Sequence, residues 1–241
     1  MYRFRTGIPT LDRALNGGVP CKITVAIIND PESDASTFCQ QLCWQGLIDG
    51  EMCVYTTYDN HPDVVRENMK RFGWDVERYE REGAFLILDC FTARVGERSR
   101  ERYWLEKPFD LKNLMNMVRR IEAYTHRVNR PTRVFLDSFS TIALNTNFLN
   151  VVRFVLKLQG LAKTGTYVGF GVVHKGIHGS ANEQIVRHVS EGVIELYSRV
   201  EKGGLRHYMR VVKMALTNFM PIEIPYRITD KGIKAFRVKP L

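Results

Sequence analysis

Long apolar runs are missing from this 241-residue chain, and so are linkers, repeats and disulfide spacings. No apolar run approaches the roughly 20 residues that a membrane-spanning helix needs. No membrane contact is therefore expected. The start, Met1-Tyr2-Arg3-Phe4-Arg5-Thr6, lacks the charged-then-apolar pattern of a signal peptide. Cysteine is scarce: five residues, an odd number, with no C-x-x-C. That argues against a disulfide framework and for a reducing cytoplasm. Cys39 and Cys43 stand one helical turn apart, which is half of a metal site at most. Two small buried residues on a core-facing helix explain them better, and no metal site is expected. With no Pro/Gly/Ser-rich linker and no low-complexity run, residues 1–241 read as one domain.

Acidic residues are also in deficit, which leaves a net charge of +9. The excess is uneven. From Arg199 to Leu241 there are ten Lys/Arg against three acids, a local balance of +7. That footprint makes nucleic acid a candidate partner, with Lys231, Lys234 and Lys239 as candidate phosphate contacts. No aromatic stacking motif or zinc-finger spacing accompanies it. Basic residues on edge strands also guard against sheet-to-sheet aggregation, so both explanations stay open.

Strand and helix patterns alternate along the chain. Lys22–Ile28, Met52–Tyr58, Ala84–Asp89, Val134–Asp137 and Tyr167–Val173 read as buried strands. Helices are predicted after Asp34, over Pro62–Phe72, around Leu111–Ile121 and near Leu149–Leu161. Residues 92–107 carry many charges and read as an exposed loop, with Arg94, Arg98, Arg100 and Arg102 solvated among glutamates. From Val193 onward short strands dominate, with a hairpin turn at Lys202-Gly203-Gly204. Repeated strand–helix units imply an α/β fold: a mostly parallel sheet covered on both faces, extended by antiparallel C-terminal strands.

The first strand–loop–helix unit sits where a phosphate-binding P-loop belongs. A working loop reads G-x-x-x-x-G-K-[ST]. Here Asn29, Asp34, Ala35 and Ser36 occupy those four positions, with Thr37 next. A P-loop holds phosphates with converging backbone N–H groups and one lysine. Asn29 and Asp34 tolerate a left-handed backbone better than most residues, so the loop shape can partly persist. The charge cannot. Ala35 supplies no cation, and Asp30, Glu32 and Asp34 add three carboxylates. Two unit charges about 4 Å apart interact by roughly 4 kcal/mol at an effective dielectric of about 20. A helix N-terminus returns only about 1 kcal/mol.

Other segments resemble a known family. They are Thr6-Gly7-Ile8-Pro9-Thr10-Leu11-Asp12 with Gly17-Gly18-Val19-Pro20, then Cys53-Val54-Tyr55-Thr56-Thr57 and Asn68-Met69-Lys70-Arg71-Phe72-Gly73-Trp74-Asp75. Later come Leu136-Asp137-Ser138-Phe139-Ser140, Lys213-Met214, and Tyr226-Arg227-Ile228-Thr229-Asp230-Lys231-Gly232-Ile233. In this order they resemble the KaiC-like, RadA-like branch of the RecA superfamily of ATPases, abundant in archaea. The resemblance runs over essentially the whole chain and implies a single RecA-like domain. It puts Ala35 at the lysine position and Ser36 at the magnesium-binding hydroxyl. Asp59 and Asn60 fall where a pair of glutamates polarises the attacking water. Asp137 matches the Walker B aspartate, and His174 is the nearest candidate γ-phosphate sensor. A late Lys-x-Arg that reaches a neighbour's nucleotide in some members reads Lys213-Met214-Ala215, so its arginine is absent.

Phosphoryl transfer rests on positioning and charge stabilisation, and the altered parts act as one unit. The expectation is therefore a pseudo-ATPase that acts as a regulatory or interaction subunit, joining itself or an intact relative. No cofactor is expected, with Mg·ATP disfavoured. An atypical ATP-binding ATPase and a DNA-binding recombination accessory protein are the alternatives. Lys213 could pair with Asp34 or Glu32 of a neighbour. Asp137 could bind magnesium, or cap a helix or hydrogen-bond backbone at the strand end. His174 and His178 suit a metal only on a helix, and Gly176 and Gly179 argue for a loop.

Overall fold

The computed structural model describes residues 1–236. In chain order the elements are β1 (Arg3–Phe4), α1 (Pro9–Ala14), β2 (Val19–Pro20), β3 (Ile23–Asn29), α2 (Ala35–Ile48), β4 (Met52–Thr57), α3 (Pro62–Arg71), α4 (Glu77–Arg81) and β5 (Phe85–Asp89). Then follow β6 (Tyr103–Trp104), α5 (Leu111–Val128), β7 (Thr132–Asp137), α6 (Phe139–Asn145), α7 (Phe148–Ala162), β8 (Tyr167–His174), α8 (Ser180–Val189), β9 (Gly192–Glu201), β10 (Gly204–Met214), β11 (Glu223–Thr229) and β12 (Gly232–Ala235).

Among the described residues, β1 and β2 form a small antiparallel pair, and the other ten strands form one sheet. Its order is β12-β11-β10-β9-β3-β8-β7-β4-β5-β6. The stretch from β9 to β6 is parallel, and β10 to β12 add antiparallel hairpins at one side. Period-two alternation sends Val25 and Ile27 to a core shared with α2, and Ala26 and Ile28 to a second core shared with α5, α6 and α7. Both sheet faces are covered, which is why these strands read as continuous apolar runs rather than alternating ones.

The family-like segments have scaffold roles. Asp12 accepts from the Thr6 N–H (2.7 Å) and hydroxyl (2.8 Å), pinning the entry turn. The Gln41 side chain accepts from Ile233 N–H (2.6 Å) and donates to Ile233 C=O (3.2 Å), docking β12 onto α2. Gly232 lies at φ +96, and a Cβ there would sit 2.3 Å from Trp74. The turn before β12 therefore needs glycine both for its backbone and for its close approach to Trp74.

The expectation for residues 92–107 needs correcting. Thr92–Val95 is a 3₁₀ turn, and Tyr103–Trp104 adds a parallel strand beside β5. Tyr103 and Leu105 are buried. Arg94, Arg98, Arg100 and Arg102 are exposed as expected, but the Arg94 guanidinium reaches Asp59 at 3.5 Å and Arg102 lies over the rings of Tyr103 and Tyr124. Three buried side chains, Thr92, Tyr103 and Leu105, spread through a charged stretch leave no readable period. All five cysteines are buried and unbridged. No described helix is long and apolar enough to cross a membrane.

Candidate nucleotide-binding site

The P-loop segment leaves β3 at Asn29 and enters α2 at Ala35, at the carboxyl ends of the parallel strands. In open α/β sheets that is where ligands bind. Here the loop is closed on itself. Ser33 N–H donates to Asp30 C=O (2.9 Å), and Ala35 N–H donates to Ser33 C=O (3.0 Å). Thr37 N–H donates to the Asp34 carboxylate (2.8 Å), and the Thr37 hydroxyl donates to its other oxygen (2.6 Å). Asp34 is thus the N-cap of α2, an anion already seated at the helix N-terminus. The Asn29 amide donates to Asp30 and Ser33 carbonyls, both at 3.1 Å, and ties the loop across its base.

Neighbouring elements hold this closure. Asp30 N–H donates to Leu196 C=O (3.0 Å) on β9. The Ser33 hydroxyl lies 3.4 Å from that of Ser198, which hydrogen-bonds His207 Nδ1 at 2.8 Å. Burial pushes the Tyr226 phenol on β11 up to about 12. Lys175 pairs with Asp30 at 2.8 Å, so one loop carboxylate is neutralised within the chain. Glu32 is exposed. Ala35 is buried at 3 % exposure in the α2-side core, so the lysine position lies beneath the loop.

Behind the loop, the two residues that the family resemblance assigns to magnesium touch each other. Ser36 Oγ donates to Asp137 Oδ2 (2.8 Å), and the Tyr55 hydroxyl donates to the same oxygen (2.6 Å). Burial raises the Asp137 carboxyl above its ordinary value, partly offset by the hydrogen bonds from Tyr55 and Ser36. The cap of α6 is Ser138, not Asp137.

Asp59 sits beside this pair. It accepts from Ser138 Oγ (2.7 Å) and from the Thr141 hydroxyl, with His174 Nε2 at 3.7 Å and Arg94 at 3.5 Å. Burial raises its carboxyl, but hydrogen bonds from His174, Thr141 and Ser138 outweigh it and leave the value lowered. A carboxylate that accepts from two hydroxyls and faces a histidine and an arginine is a poor general base. Asn60 lends its backbone instead: Thr57 Oγ1 donates to Asn60 C=O at 2.6 Å. His174 ends β8, and its N–H donates to Ser140 Oγ (2.8 Å), which also meets His178 Nε2 at 2.7 Å. His178 lies in the loop before α8, not on a helix. Among the described residues, no group of three or more His, Cys, Asp or Glu side chains is placed to hold a metal ion.

Lys213 is engaged within the chain. Its ammonium donates to Ser190 C=O (2.6 Å) and His188 C=O (3.0 Å), capping the C-terminal end of α8. Lys231 follows β11 and Lys234 lies on β12, the edge strand four places from β3. Both are exposed and have no carboxylate partner among the described residues. Lys239 lies outside the described residues. Arg199, Arg206 and Arg210 pair with Glu223, Glu201 and Glu195. Sequence reading missed Arg94, Tyr55, Thr141 and Lys175. Only Tyr55, a phenol in a fully buried strand, carried a visible signal.

Comparison with known proteins agrees with this architecture. The family described as ATPase: KaiC matches residues 4–239. The chain belongs to the KaiC ATPase family. It is 35 % identical over 236 residues to a UPF0273 protein of Thermotoga maritima, covering 96 % of this chain and 94 % of that one. A UPF0273 protein of Aeropyrum pernix is 36 % identical over 236 residues, covering 96 % and 92 %. The crystal structure of a KaiC-like protein from Pyrococcus horikoshii OT3 superposes with a TM-score of 0.79 at 25 % identity, covering 98 % of this chain and 99 % of that one.

Proposed function

We propose that this KaiC-family chain is a pseudo-ATPase that acts as a non-catalytic regulatory or interaction subunit, joining itself or an intact relative. One observation carries the reading. The Asp34 carboxylate occupies the N-terminus of α2, where a P-loop receives phosphate. Ala35 is buried and adds no compensating cation. A triphosphate entering here meets a seated anion and amide groups already turned to internal acceptors. Asp59 is held by donors rather than poised to take a proton.

A second reading is weak binding of Mg·ATP, favoured by the intact Ser36–Asp137 contact. Titration calorimetry with Mg·ATP separates the two. No heat below high micromolar is expected, and a dissociation constant near 1 μM overturns the pseudo-ATPase reading. Light scattering with and without Mg·ATP tests the subunit role. A nucleotide-independent monomer, dimer or mixed complex supports it, and a hexamer that forms only with nucleotide refutes it.

A further inference from the structure

Glycine inside a β-strand weakens it and needs a reason: a bulge, a left-handed backbone, a close approach of another chain segment, or a ligand. β8 carries two, Gly169 and Gly171, on one face at period two. The first two reasons fail at both glycines, and the third fails at Gly171. The register of β8 against β3 and β7 runs without a shift through both glycines. Neither has a positive φ. A Cβ at Gly171 would meet nothing within 4 Å, whereas one at Gly169 would press on the Thr24 methyl at 3.3 Å.

The space they leave is a cavity of about 130 Å³ between the sheet and helices α5 and α7. Its floor is the pair of glycines with Ala26 and Val134 from the flanking strands, and Val155 and Leu158 of α7 form part of its roof. The lining is almost all carbon. Polar groups gather toward the start of β8, where the Tyr167 and Thr125 hydroxyls bond each other at 3.0 Å and Glu122 stands nearby. Apolar cavities of roughly 150 Å³ stay dry and take up benzene or xenon. The Glu122 carboxylate would oppose an anionic ligand.

We infer that the space over Gly169 and Gly171 is a binding site for a compact, uncharged apolar ligand about the size of one six-membered ring. It lies on the opposite sheet face from α2 and is independent of the nucleotide reading. Such a ligand stabilises the folded chain by mass action, because the unfolded chain offers no such cavity.

The probe is benzene near its aqueous solubility, applied to the full chain. Benzene is expected to raise Tm and to shift the methyl resonances of Val134, Val155 and Leu158. Gly171→Val fills the space with a residue that suits a strand. That variant is expected to have a raised Tm in the absence of ligand and to lose the response to benzene. Xenon-129 NMR on the unmodified protein needs no variant and should report one saturable site. No benzene or xenon response in the unmodified protein would mean that the helices close over the glycines, and would overturn the assignment. An undiminished response in a folded Gly171→Val, or in Gly171→Ala if valine prevents folding, together with unchanged methyl shifts, would place binding elsewhere and overturn it equally.

Discussion

Asp34 and Thr37 hold each other twice, through the Thr37 N–H at 2.8 Å and its hydroxyl at 2.6 Å. An N-cap of this kind contributes about 1 kcal/mol to the helix. It also places a full negative charge where phosphate oxygens would need the same donors. Closure of the loop and loss of the lysine therefore reinforce each other.

Ala35→Lys alone is expected to change Mg·ATP affinity by less than tenfold, because Asp34 remains seated. Asp34→Gly with Ala35→Lys removes an anion and adds a cation. At about 4 kcal/mol per close charge pair before desolvation, that change can bring affinity into the micromolar range. Calorimetry reads it. Neither variant should hydrolyse ATP in a phosphate-release assay, since Asp59, Asn60 and Ala215 are unchanged.

Asp137 and Asp59 should respond to pH in opposite senses. The folded-state value of Asp137 is raised by burial above its ordinary 3.8, so its charge costs stability at neutral pH. Asp137→Asn is expected to be more stable than the parent at pH 7. The gap should close as pH falls through the raised value toward 3.8. Asp59, raised by burial but lowered overall by His174, Thr141 and Ser138, contributes stability that is complete above its unfolded value of 3.8. Asp59→Asn should be less stable at pH 7, with that gap closing only as pH falls through the lowered value. Urea titrations at a series of pH values check both slopes, and equal slopes would contradict the site electrostatics.

Arg133 and Glu51 form an ion pair with side-chain exposures of 0 % and 1 %. Arg133 also donates to Leu42 C=O (2.8 Å) and Arg5 C=O (2.6 Å), and Tyr2 donates to Glu51 (2.8 Å). Glu51→Ala leaves a buried guanidinium without its anion and is expected to cost about 3–5 kcal/mol. Arg5→Ala removes a mostly exposed partner of Asp49 and should cost no more than about 1 kcal/mol. Chemical denaturation measures the contrast.

If the basic C-terminal strands bind duplex DNA, that binding is expected to be salt-dependent and nearly sequence-blind. Replacing Lys231, Lys234 and Lys239 by alanine should flatten the salt slope by about 0.9 for each phosphate that is no longer neutralised. Fluorescence anisotropy across a salt series reads the slope. No binding at about 50 mM salt removes nucleic acid as a partner class.

The sequence by itself determined the main strand–helix alternation and the layering, but not the shorter elements α1, α4, α6, β1, β2 and β6, nor α8. Runs such as Ile23–Asn29 and Tyr167–His174 lie between two helical layers, so their apolar composition was visible locally. It also determined which chemical groups are missing at the P-loop, because absence of a lysine at position 35 needs no geometry. Tertiary structure decided what replaces them. Asp34 turns back onto Thr37, while Lys213 caps α8 instead of reaching outward. Arg94, in a stretch that read as solvated, points at Asp59 and also holds the carbonyl of Tyr58, 36 residues away in the chain. Side-chain partners of this kind come from strands and loops far apart in sequence, and no local period encodes them. The void over Gly169 and Gly171 belongs to the same class: two glycines are legible in the chain, but an empty space appears only when α5 and α7 are laid over the sheet.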